Sequence, residues 1–321
     1  MVAAPTMSTA GQPANLPPSV LATPSAELLR RLELAITRRL DGILQGDYRG
    51  LVPGHGSELG ESRLYQPGDD VRRMDWNVTA RQQTPHVRDS IADRELETWA
   101  MIDLSASLGF GTATCLKRDL AVAALAAVGF LTSRAGNRIG AVTLEGERLA
   151  TVPARTGRNH LLALLQRVVT SAQDEHAGPA DLAGGVRRLS ATMRRRGLAV
   201  VISDFLDDGS WDTALRALSV RHEVLAVEVV DPRELELPDV GVVELEDPET
   251  GERIEVQTSS GAMRSKFADA AAAQRDDIAR RIRAAGADHL VLRTDRDWLL
   301  ELVRFVAWRR ERLDALSRVR P

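Results

Sequence analysis

Thr98-Trp99-Ala100-Met101-Ile102-Asp103-Leu104-Ser105-Ala106-Ser107 is an apolar strand that ends in a carboxylate and runs on into two alternate serines. The chain beyond it repeats the alternation of apolar strand and helix. Leu116–Leu131 has the length and apolar content of a buried helix, and Arg138–Thr143 and Arg148–Val152 read as the next two strands. Helices fit His160–Val169 and Asp181–Arg195, and Leu198–Ile202 is a fourth strand, continued at once by Ser203-Asp204. A short helix over Ser210–Leu218, a fifth strand at Glu223–Val230, a long helix over Ala262–Ala285, a sixth strand at His289–Leu292 and a final helix over Trp298–Leu316 complete the series. Strands alternating with helices of this length predict an α/β fold, a mostly parallel six-stranded sheet covered on both faces. The glycine spacings of a dinucleotide-binding turn or a phosphate-binding loop are missing from it.

In such a sheet, ligands bind beyond the carboxyl ends of the strands. Asp103 stands where the first strand gives way to loop, and Ser105 and Ser107 come at alternate positions after it, so a turning backbone can aim three oxygens at one point. Asp204 after the fourth strand reaches the same point if those two strands are neighbours. One carboxylate, two hydroxyls and a second carboxylate are poor ligands for zinc or copper; they suit Mg²⁺ or Mn²⁺. The plainer reading of the same residues is a set of turn and capping side chains at strand ends. Asp181 reads as the N-cap of the helix it precedes.

Composition narrows the chemistry. The 321 residues carry 42 basic and 45 acidic side chains, a formal charge of -3, which disfavours a nucleic-acid binder. The single cysteine, Cys115, excludes an internal disulfide and any thiolate-rich metal site, and points to a reducing compartment, the cytoplasm. The six histidines, His55, His86, His160, His176, His222 and His289, have no zinc-like spacing. Of the 42 basic residues only Lys117 and Lys266 are lysine, a bias so uniform that it is given no functional weight. The longest apolar run, Leu120–Leu131, is twelve residues, well short of the roughly 20 a membrane span requires. No membrane span is expected.

Residues 1–25, rich in proline and small side chains, read as a flexible tail and not as a signal peptide. Ala26–Leu40 has helical apolar spacing and Gly46–Gly60 is glycine-rich loop. The block Tyr65–Arg81 interleaves Asp69, Asp70 and Asp75 with Arg72, Arg73 and Arg81; it reads as an ion-pair network anchored by Tyr65 and Trp76. Between Asp231 and Glu255 stand ten acidic and two basic residues, and within this stretch residues 241–258 read as a hairpin. The organisation is therefore a tail (1–25), an N-terminal extension (26–97) and one α/β domain (98–321) with an acidic hairpin inserted. In the last helix, Trp298 and Trp308 are expected to pack on the sheet, with Asp295 at its N-terminal end.

Asp103-x-Ser105-x-Ser107 resembles the metal-ion-dependent adhesion site of von Willebrand factor type A domains. Gly56-x-Glu58, the run Arg63-x-Tyr65-x-Pro67-Gly68-Asp69-Asp70-Val71-Arg72-Arg73-x-Asp75-Trp76 with Ala80-Arg81, and Ile202-Ser203-Asp204-Phe205 resemble the bacterial domain of unknown function 58 family, a type A-like group often encoded beside MoxR-type AAA+ ATPases. The likeness runs over roughly residues 28 to 230. It implies a Rossmann-like sheet of order 3-2-1-4-5-6, which sets the first strand beside the fourth. It also implies a metal site of Asp103, Ser105, Ser107 and Asp204 holding Mg²⁺ or Mn²⁺, completed by a threonine; this chain has Ala180 at the corresponding place.

The expected function is a non-enzymatic protein-binding or adaptor module, with a MoxR-type AAA+ ATPase as partner, and with no catalytic residues. The alternatives are a Mg²⁺- or Mn²⁺-dependent hydrolase or phosphatase using Asp103 and Asp204, and a metal-free scaffold, for which Ala180 speaks.

Overall fold

The computed structural model describes residues 30–38 (without 31 and 35), 62–65, 74–88, 97–172 (without 135 and 147), 180–246 (without 208) and 252–319. The expected tail, the glycine-rich loop, Asp69, Asp70, Arg72, Arg73 and the tip of the hairpin lie outside these residues.

Two short strands, β1 (Ser62–Leu64) and β2 (His86–Arg88), pair antiparallel around a helix, α1 (Trp76–Gln82). Asp75 is the N-cap of α1, accepting from the backbone N–H groups of Asn77 and Val78 at 3.1 and 3.2 Å. Within the acidic–basic block the structure corrects the expected role of Trp76 alone. Asp75 serves as a helix cap, and Trp76, expected as an anchor, opens the helix on its solvent side and is 68% exposed.

The main sheet contains β3 (Glu97–Asp103), β4 (Arg138–Glu145), β5 (Arg148–Arg155), β6 (Gly197–Ser203), β7 (Glu223–Val230) and, after the hairpin strands β8 (Val242–Glu246) and β9 (Arg253–Gln257), β10 (Asp288–Arg293). Its spatial order is β10-β7-β6-β3-β4-β5. Counted along the sheet's own strands this is 3-2-1-4-5-6, the order implied by the resemblance. All neighbours are parallel except β4 and β5, joined by a tight turn at Gly146 with φ 60. β3 therefore lies between β4 and β6, buried on both faces, which explains its unbroken apolar run.

Alternation along the strands builds two apolar layers. Ala100 and Ile102 of β3, with Leu225 and Val227 of β7, face α2 (Lys117–Arg134), α3 (Arg158–Ser171) and α7 (Trp298–Val319). Trp99 and Met101, with Ala199 and Val201 of β6, face α4 (Leu182–Thr192), α5 (Trp211–Ser219) and α6 (Gly261–Ala284). Helix α2 is apolar on all sides because it is covered on all sides, by the sheet, by α3 and by Leu32 and Ile36 of the N-terminal helical segment. Its close approach to α3 needs Gly129, where a Cβ would stand 2.4 Å from Leu161 Cδ1. Among the described residues no helix is long and apolar enough to cross a membrane.

Three local expectations change. Helix α4 stops at Thr192, so Arg194–Arg196 lie beyond its end. Asp297, not Asp295, caps α7, accepting from Leu300 N–H at 3.2 Å, while Asp295 pairs with Arg293. Trp298 is buried as expected, but Trp308 is 49% exposed.

Candidate strand-end site

Asp103 and Ser203 are the last residues of the adjacent parallel strands β3 and β6. Both strands end at the same level, so their side chains meet: the Ser203 hydroxyl donates to Asp103 Oδ2 at 2.7 Å. The other carboxylate oxygen accepts the Ser105 N–H at 2.9 Å, a turn that carries the chain into a short 3-10 segment, Ala106–Gly109. That turn sets the Ser105 and Ser107 hydroxyls 3.2 Å apart, and Ser107 is among the groups that help hold the Asp204 carboxyl in its charged form. The four residues singled out from the sequence, Asp103, Ser105, Ser107 and Asp204, are thus gathered at one place, and Ser203 is added to them.

The residue after Asp204 has an unusual backbone. Phe205 has φ 57, a left-handed conformation that costs a non-glycine residue of order 1 kcal/mol or more. It is held there by burial of the Phe205 ring edge-on against Trp211, with centroids 5.1 Å apart, and by its N–H donating to Ser203 Oγ at 3.1 Å.

The decisive neighbour is Lys117, the first residue of α2, whose side chain is 1% exposed. Its ammonium donates to Asp204 Oδ2 at 2.8 Å and to Glu234 Oε1 at 2.5 Å. Glu234 closes a 3-10 turn, Pro232–Glu234, in a capping box with Asp231. Its second oxygen accepts from Arg275 at 3.2 Å, and Arg275 also donates to the Asp204 carbonyl at 3.2 Å and to Glu228 at 2.9 Å. Glu228 is further paired with His289 at 2.7 Å. Nearby, the buried Asp231 accepts from the Thr112 N–H and hydroxyl and from the Thr294 hydroxyl at 2.8, 2.6 and 2.7 Å, fastening the loop after Ser107 to the end of β10.

The two aspartates are shifted in opposite directions. Burial, reinforced by the negative charge of Asp204, pushes Asp103 up to about 6 against the hydrogen bonds of Ser105 and Ser203. Burial would raise Asp204 as well, but the Lys117 charge and hydrogen bond outweigh it and hold that carboxyl below the usual range. Burial alone would lower the Lys117 ammonium; Asp204 and Glu234 overcome this and keep it charged.

Judged as a seat for a dication, this donor set does not fit. Both Asp204 oxygens are already engaged, Oδ2 by the Lys117 ammonium and Oδ1 by the Leu206 N–H at 3.3 Å, and two unit charges about 4 Å apart at an effective dielectric of about 20 repel by about 4 kcal/mol, twice that for a dication. The Ala180 side chain brings no oxygen, and the start of α4 beside it is held by the Leu182 N–H donating to Asp207 at 2.9 Å. Asp181 caps α4, accepting from Gly184 N–H at 2.7 Å.

Lys117, Glu234, Arg275, Glu228 and His289 were not anticipated. A sequence signal existed for one of them: Lys117 is one of two lysines in a chain with 42 basic residues. An ammonium is a compact point charge that fits between two carboxylates where a planar guanidinium would not.

A six-stranded, mostly parallel α/β sheet with an aspartate–serine cluster at its strand ends is the class of protein defined so far. The chain belongs to the family described as "Protein of unknown function DUF58", whose model matches residues 61–277. That span starts later and ends later than the likeness read from the motifs, reaching into α6. The chain is 59% identical over 285 residues to the uncharacterized proteins Mb1516 of Mycobacterium bovis and Rv1480 of Mycobacterium tuberculosis, covering 89% of this chain and 90% of each relative. Among solved structures it is similar to the conserved hypothetical protein BatB from Bacteroides thetaiotaomicron, at 13% identity and TM-score 0.43, over 67% of this chain and 99% of that one. It is also similar to the SpRpn10 VWA domain, at 14% identity and TM-score 0.35, over 65% and 93%.

Proposed function

We propose that this chain is a non-enzymatic protein-interaction module, that its contact surface is the rim above the strand ends, and that its partner is a MoxR-type AAA+ ATPase. One observation carries the reading: the strand-end carboxylates are engaged by the protein's own groups, namely Ser203, two backbone N–H groups and Lys117. A network tied in this way fixes the shape of the loop from Leu104 to Leu116. Above it the loop presents Gly109 and Phe110, the latter 40% exposed. An exposed aromatic on a rigid rim is the kind of residue that dominates interface energetics. The partner is supported by the family resemblance. The reading is of a cytoplasmic protein, and the buried Cys115, its thiol pushed up to about 12 by burial, is in keeping with a reducing compartment.

Isothermal titration of the full chain with the MoxR-type ATPase of the same organism tests this. Phe110→Asp is expected to weaken binding at least tenfold with an unchanged thermal midpoint. Undiminished binding would remove the rim from consideration.

A further inference from the structure

We propose that the cation of the strand-end site is the chain's own: the Lys117 ammonium supplies the positive charge that offsets the strand-end carboxylate Asp204, and the site is complete without metal. The inference rests on the reading of the strand ends as a contact site and says what charge holds that site together.

The geometry of Lys117 carries it. A lysine ordinarily keeps its ammonium in water, yet this one is 1% exposed and points into the cluster. Its ammonium has a carboxylate from the end of β6 on one side and one from the turn after β7 on the other, at 2.8 and 2.5 Å. Asp204, which it neutralises, directly follows Ser203, whose hydroxyl donates to Asp103 at 2.7 Å, so the ammonium is joined to the Asp103–Ser105 turn through adjacent residues of one strand end. A bound dication would neutralise the strand-end acids; Lys117 neutralises Asp204 through a covalently tethered charge that cannot be lost to chelation, and ties α2 to the end of β6 as it does so. Asp103, the carboxylate Lys117 does not reach, is satisfied separately by Ser203 and the Ser105 N–H.

The experiment uses the full chain alone, with Mn²⁺ as probe, read by the free-ion electron paramagnetic resonance signal and by the thermal midpoint. Wild type should leave the Mn²⁺ signal unchanged up to about 1 mM, and EDTA should not move its midpoint. Lys117→Ser, which removes the ammonium and leaves space between Asp204 and Glu234, should bind Mn²⁺ and recover part of its lost midpoint on adding the ion. Wild-type uptake of one Mn²⁺, abolished by Asp103→Ala, would overturn the proposal. If Lys117→Ser does not fold, the wild-type titration decides alone. Partner binding measured in EDTA keeps the two readings apart: binding that persists there supports the internal cation, and binding that requires Mg²⁺ sinks it while leaving the contact surface intact.

Discussion

The strand-end cluster and the β8–β9 hairpin are both acidic, and they use their charges in opposite ways. At the strand ends, Asp204, Glu228 and Glu234 are each matched to Lys117, Arg275 or His289 inside the fold. On the hairpin, one face aligns Val243 with Val256 and Leu245 with Ile254, while the other sets Glu244 directly opposite Glu255. These two glutamates face solvent and oppose each other across the ladder, and a cation near them, Arg253 at 3.6 Å from Glu244, is exposed as well. An excess of acidic residues therefore says little about electrostatic function until burial and pairing are known: buried charge must be matched, whereas exposed charge is screened.

The largest expected effect breaks the matched side of this contrast. Lys117→Met leaves Asp204 without its cation in the interior, with Glu234 still paired to Arg275, and should cost about 3–5 kcal/mol in urea unfolding at an unchanged m-value. Lys266→Met, at an exposed position of α6, should fall within about 0.5 kcal/mol of wild type. Equal effects from the two lysines would erase the distinction.

A smaller effect is expected from pH. Asp103 is raised from the ordinary 3.8 to about 6, so between those values the native state binds its proton more tightly than the unfolded chain. This group's contribution to stability is then full below about pH 4 and declines as pH rises to about 6, by at most about 3 kcal/mol. Asp204, held low by Lys117, contributes the reverse: stability present above its ordinary range and lost as pH falls through its depressed one. Asp103→Asn should abolish the decline between pH 4 and 6 in a series of urea unfolding curves. A decline that survives the substitution would assign it to another group.

The smallest effect sharpens the exposed side. Glu255→Lys turns the opposed Glu244–Glu255 pair into one of opposite sign, and should stabilise by about 0.2–1 kcal/mol at low salt. The gain should fade in 1 M NaCl, because the pair is solvent-screened. A salt-independent change would mean that these side chains act through packing.

The sheet was legible because β3, β6 and β7 are buried on both faces and are therefore apolar almost throughout, with Glu228 of β7 the buried exception. Asp103, Ser105, Ser107 and Asp204 were legible for a related reason: strand ends in an open α/β sheet converge, so polar residues there are read by position alone. Lys117 was not, since it lies ten residues beyond Ser107 at the start of a helix, and only the return of that helix over the sheet brings it to Asp204. Trp76 and Trp308 were misread because an aromatic side chain favours burial on average, and both sit on helix faces that the described residues leave to solvent.

By itself the sequence determined the alternation of strands and helices, the strand-end position of the aspartates and serines, and the excess of acid between Asp231 and Glu255. These come from local periodicity and from covalent order. Tertiary structure alone decided which charge meets which. Glu234 and Asp204 reach one ammonium across more than 80 residues of chain, and no local pattern encodes that meeting, because it depends on where two helices and two strands come to rest against each other.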